Sequence, residues 1–165
     1  MIRRFVGRDS SRQIGFVMTY NDLRKGRVSQ PGMTYHVTAV TLSRTPFFTS
    51  LENGRKVVRE LMVLQAEGRA ETLCYVLMPD HLHWLMVLHE GTLSDAVKLL
   101  KGRSAHAIGE PVWQANYYDH AVRGDDDLRK IARYIVDNPL RANLVERIGD
   151  YPLWDAAWMD ENTSG

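Results

Sequence analysis

The chain has a single cysteine, Cys74, in 165 residues, so it has no internal disulfide and suits a reducing compartment. No apolar run approaches the eighteen or so residues of a membrane span, and no membrane partner is expected. Neither sign of charge is in excess. With 21 basic and 20 acidic residues the formal net charge is +1, which rules out a global polyanion-binding character and confines any nucleic-acid surface to local clusters. Internal repeats and low-complexity tracts are also lacking. Met1 to Arg8 carry charge without a following apolar core, so they do not read as a secretory signal and a cytoplasmic location is expected.

What is present is the composition of an ordinary globular domain, 44% hydrophobic and 25% charged, long enough for one real core. Residues 1–30 show little periodicity and are expected to form a loose arm ahead of a single domain over 31–165. Thr34 to Leu42, rich in β-branched and aromatic residues, predicts a first strand. Leu51 to Glu67 predicts a helix with Val57, Val58, Leu61, Met62 and Leu64 as its apolar stripe. Thr72 to Met78 and His81 to Leu88 read as a hairpin across Pro79 and Asp80. Thr92 to Ala107 resumes helical spacing, with Leu93, Ala96, Val97, Leu100 and Ser104 on one face. Trp113 to Val122 predicts a fourth strand, and a last helix starts at Asp125, Asp126 and Asp127 and ends near Asn138 before Pro139. This order predicts an α+β, ferredoxin-like sandwich: an antiparallel sheet with helices packed on one face. Trp154 and Trp158, at helical spacing, are expected to pin the C-terminus.

The segment with chemical content is His81-Leu82-His83. A strand turns every second side chain to the same face, so both imidazoles project together from an apolar segment, their Cα atoms roughly 6.5–7 Å apart. Two such rings can share an ion held about 2.1 Å from each nitrogen. Interior histidines satisfied by hydrogen bonds, and a zinc site completed by Cys74, are compatible with the same residues.

On the last helix Tyr134 and Asn138 lie one turn apart, with Lys130 one turn earlier in the same row. A His, His, Asn set carries no negative charge, so the full charge of Mg²⁺ or Mn²⁺ stays available to a phosphodiester. A tyrosine beside it is suited to attack a polarised phosphate. Candidate phosphate contacts are Arg24, Lys25 and Arg27 before the first strand, Lys98, Lys101 and Arg103 on the central helix, and Arg123 and Lys130 further on. Each reads equally as solvated surface. Trp84 and Trp113 are candidate base-stacking residues, although Trp84 alternates away from the histidines and towards the core.

Met-Pro-Asp-His-Leu-His-Trp-Leu (78–85), Leu-Lys-Gly-Arg-Ser-Ala (100–105), Tyr-Tyr-Asp-His (117–120) and Ala-Arg-Tyr-Ile-Val-Asp-Asn-Pro-Leu-Arg-Ala-Asn-Leu-Val (132–145) together resemble the REP-associated tyrosine transposases, members of the single-tyrosine HUH transposases. The resemblance runs from about Arg24 to Trp158. It implies that His81 and His83 bind a divalent metal, Mg²⁺ or Mn²⁺, that Asn138 is the third ligand, and that Tyr134 is the nucleophile. It further implies a partner, single-stranded or hairpin DNA of repetitive extragenic palindromes, cleaved to a 5′-phosphotyrosine and then rejoined by a monomer or homodimer. A domesticated, non-catalytic hairpin binder of the same fold is the alternative. Asn143 stands where the family commonly has glycine, and asparagine tolerates the left-handed conformation that glycine serves.

Overall fold

The computed structural model describes residues 29–157. Strand β1 (Thr34–Val40) leads through two short 3₁₀ turns into helix α1 (Leu51–Ala66). The hairpin β2 (Ala70–Met78) and β3 (His81–Leu88) follows, then helix α2 (Leu93–Ile108), strand β4 (Tyr118–Val122), helix α3 (Asp125–Val136), a single turn α4 (Asn138–Arg141) and the short strand β5 (Trp154–Ala156). The five strands pair in the order β4-β1-β3-β2-β5, antiparallel throughout. The first four are in ferredoxin-like order, which α1 and α2 close as a βαββαβ unit. No helix among the described residues is long and apolar enough to cross a membrane.

Local chemistry explains the boundaries. Ser50 caps α1 by accepting from the backbone N–H of Asn53, and Thr92 caps α2 by accepting from that of Asp95. Gly109 ends α2 at φ +97°, a conformation that costs glycine nothing. Asp125, Asp126 and Asp127 occupy the positive end of α3. Pro139 both follows the end of α3 and opens α4, because its fixed φ suits a first helical turn. Asn143 sits at φ +55°, as its glycine-like position suggests.

Strand alternation divides the molecule into two layers of core. Val37, Ala39, Leu82, Trp84, Met86 and Leu88 face α1 and α2. Trp84 is fully buried there, its indole N–H donating to Thr72 Oγ1, so it is a core residue and not a base-stacking platform. Removing such an indole costs about 3–5 kcal/mol. On the reverse face Cys74, Val76, Met78 and Leu85 pack against Ala132, Ile135 and Val136 of α3. The helices of the βαββαβ unit therefore lie on one face as expected, and the additional helix α3 covers the other.

Three local expectations are corrected. Met62 is 67% exposed and lies off the stripe of α1, where Gly54 takes a buried place instead. The fourth strand begins at Tyr118; Trp113 makes only an isolated bridge to Thr41 and is buried, its indole N–H bonded to Ser104. Trp154 belongs to a strand paired with β2 through Val76, not to a helix. Trp158 lies outside the described residues.

Candidate active site

β3 sets the histidines by its register. His83 stands opposite Thr38 of β1 and His81 opposite Val40, with both rings on the face that α3 covers. Their centroids are 4.9 Å apart and nearly perpendicular. Each ring is tethered through Nδ1. That of His81 donates to Asp80 Oδ1 at 2.7 Å. That of His83 lies 3.1 Å from Thr38 Oγ1 and 3.1 Å from His36 Nε2. An imidazole that donates through Nδ1 presents the lone pair of Nε2, as His81 does through its bond to Asp80, and the two contacts at Nδ1 of His83 hold the plane of that ring.

The electrostatics favour the uncharged form of His83 and of His36 behind it. Burial, with the neighbouring His81, His36 and Arg141 adding to it, lowers the pKa of His83 to about 3. Burial and the facing His120 lower that of His36 to about 4. At Asp80 burial opposes ionisation, but the hydrogen bond and charge of His81, with those of Arg44, outweigh it and hold the carboxyl below its usual value. A neutral His83 beside His81, whose ring is held by the Asp80 carboxylate, makes a donor pair fit for a divalent cation.

α3 supplies the facing side. Tyr134 is 49% exposed, open to a macromolecular substrate, and its ring centroid is 5.8 Å from that of His83. Asn138 donates its Nδ2 to the carbonyls of Tyr134 (3.0 Å) and Ile135 (3.4 Å). It therefore caps α3, and that orientation leaves Oδ1 as its only acceptor for a further ligand. Among the described residues no three His, Cys, Asp or Glu side chains gather to hold an ion. A zinc site with Cys74 is not formed. Cys74 pairs with Leu85 and is buried between α3 and β5, where burial, and secondarily Asp155, push its thiol up to about 12.

The expected cations divide between the two faces. Lys101 donates to the carbonyls of Gln114 and Asn116, both at 2.8 Å, and holds the approach to β4. Arg103 is ion-paired with Glu67 at 3.0 Å, linking α2 to the end of α1. Lys98 is exposed on α2. All three are on the helix layer remote from the histidine pair. Arg123 and Lys130, by contrast, line one groove of about 420 Å³ between β4 and α3, with His120, Val122, Asp127 and Ile131. His120 touches His36 edge-on at 5.0 Å, which joins this groove to the histidine cluster. Arg24, Lys25 and Arg27 lie outside the described residues.

Sequence reasoning missed His36, Thr38 and His120, and treated Asp80 only as a turn residue. The alternation of His36 and Thr38 along β1 was a signal. Without the register it did not say what they faced.

Residues 29–138, from just before β1 to Asn138, match the family described as "Transposase IS200 like". The REP-associated tyrosine transposase of Escherichia coli (strain K12) is 32% identical over 86 residues, covering 50% of this chain and 52% of the relative. The chain thus spans about half the length of the curated relative it matches. A solved structure, "Structure of the REP associates tyrosine transposase bound to a REP hairpin", is similar with TM-score 0.68 and 25% identity, covering 78% of this chain and 79% of that one. The family match contains the strand-borne histidines and the tyrosine helix alike: this chain belongs to the IS200-like transposase family.

Proposed function

We propose that the chain cleaves and rejoins single-stranded DNA next to a REP-type hairpin, with Tyr134 as nucleophile and a divalent ion, Mg²⁺ or Mn²⁺, held by His81, His83 and Asn138. The observation that carries this reading is the opposition of an accessible tyrosine on α3 to a tethered histidine pair on β3. When bound, the ion polarises the scissile phosphate and offsets charge developing on its oxygens. His81 and His83 orient it through Nε2, and Asn138 offers Oδ1 without adding negative charge that would repel DNA. Tyr134 Oη forms a bond to phosphorus, its proton passing to solvent, while the bond from phosphorus to the 3′-oxygen breaks. The leaving oxygen takes up a proton, giving a free 3′-hydroxyl and a 5′-phosphotyrosine. Attack of a 3′-hydroxyl on that linkage reverses the step and joins strands. Arg123 and Lys130 line the groove best placed to carry the DNA backbone past the site.

The test is incubation with end-labelled hairpin DNA and Mn²⁺ or Mg²⁺, followed by denaturing electrophoresis. A covalent adduct is expected in the native chain, lost with chelator and in Tyr134→Phe. Efficient cleavage by Tyr134→Phe would remove Tyr134 from the role. Tight hairpin binding that survives chelator without any cleavage would favour the non-catalytic alternative.

A further inference from the structure

We propose that Arg141 is a positioning residue for the nucleophile, holding the Tyr134 ring against the histidine pair; the inference rests on the reading of Tyr134 as the attacking group. Two contacts of different kinds support it. Arg141 Nη2 donates to the backbone carbonyl of Tyr134 at 2.8 Å. Its guanidinium carbon also lies 4.1 Å from the centroid of the Tyr134 ring. Capping the end of α3 would need only the first of these. The second places a flat cation on the face of the ring, where the quadrupole attracts it.

The chain path explains how a residue seven positions later reaches back. α3 stops at Val136, Pro139 opens a new turn, and Arg141 N–H bonds to Asp137 O at 3.0 Å. The turn continues the helical bonding, and the long Arg141 side chain extends back along it to the carbonyl and ring of Tyr134. Tyr134 is consequently bounded twice, by the guanidinium on its face and by the His83 ring at 78° to it. An exposed tyrosine without those bounds samples several rotamers, most of which carry the phenol away from the metal-binding nitrogens. A family motif reaching Arg141 did not disclose this contact, since helical spacing alone puts residues seven apart two turns away.

Two measurements on the same variants test the inference. The first is NMR of the DNA-free chain with labelled tyrosine rings, the Tyr134 signal being assigned by its loss in Tyr134→Phe. In Arg141→Ala that signal should move towards the position of a free tyrosine, while the buried Tyr35 and Tyr117 stay put and report an intact fold. The second is single-turnover adduct formation with hairpin DNA and Mn²⁺. Its rate should fall at least tenfold, with hairpin affinity changed less than twofold. Arg141→Gln, which can keep a hydrogen bond to the carbonyl but loses the cation, serves if Arg141→Ala fails to fold, and should show the same two losses. Arg141→Lys should recover part of the rate. An unmoved Tyr134 signal, or a rate equal to that of the native chain, overturns the inference. A moved signal in a chain that forms no adduct even in native form supports the contact and sinks the nucleophile reading instead.

Discussion

Asp80 forms half of the two-residue turn between β2 and β3, and its carboxylate also accepts from His81 Nδ1 at 2.7 Å. The second contact orients His81, a ligand of the proposed metal site, and losses of such partners lower metal affinity by roughly 10–100-fold. Asp80→Asn keeps a turn-forming residue of the same shape but removes the charge. Mn²⁺ affinity, measured by isothermal titration, should therefore fall about tenfold with little change in melting temperature; an unchanged affinity would show that the carboxylate has no part in holding the ion. At this scale the sequence was partly legible. Period-two alternation put His81 and His83 on one face, and the family resemblance, with asparagine standing where glycine is common, anticipated a glycine-like backbone at Asn143. It did not reveal that Thr38 and His36 share the Nδ1 of His83, because cross-strand neighbours depend on a register that only the paired sheet defines.

Elements formed by strong local signals came out within a few residues of expectation. α1, α2 and the β2–β3 hairpin each have a cap, a stop or a turn written in adjacent residues. β5 has none of these: three residues beside the far edge of β2 form a strand only because that edge offers them hydrogen bonds. The same C-terminal segment explains Gly54. A Cβ added to Gly54 would lie 2.5 Å from Leu153 Cδ1, and Leu153 is itself buried, with its carbonyl accepting from Leu77 N–H. Gly54→Ala gains about 1 kcal/mol of helix propensity, yet overpacking costs about 1–3 kcal/mol. Net destabilisation of about 1 kcal/mol is expected, read from the urea midpoint. A stabilised variant would mean that Leu153 yields freely and that the C-terminal segment is loosely held.

For the whole molecule, the sheet separates two electrostatic environments that composition cannot distinguish. A net charge of +1 gives no hint of DNA, and the cations picked out along the chain looked equivalent until the fold assigned them to layers. Arg103 is neutralised by Glu67 on the α1–α2 side, whereas Arg123 and Lys130 share the groove beside the histidine cluster. α3 creates this difference, because its apolar stripe is buried on the reverse face and its polar row of Lys130, Tyr134 and Asn138 borders the site. Cations on the same face as the proposed nucleophile should contact the DNA backbone. Each phosphate contact contributes roughly 0.7–0.9 to the slope of log affinity against log salt. Arg123→Ala with Lys130→Ala should weaken hairpin binding across sequences and reduce that slope by about 1.4–1.8. Lys98→Ala should leave both unchanged, because its helix faces away from the tyrosine. Fluorescence anisotropy across a salt series measures the two together. Equal losses from the two sets would mean that DNA wraps both layers, and an unchanged slope in the Arg123 and Lys130 pair would remove the groove from the path.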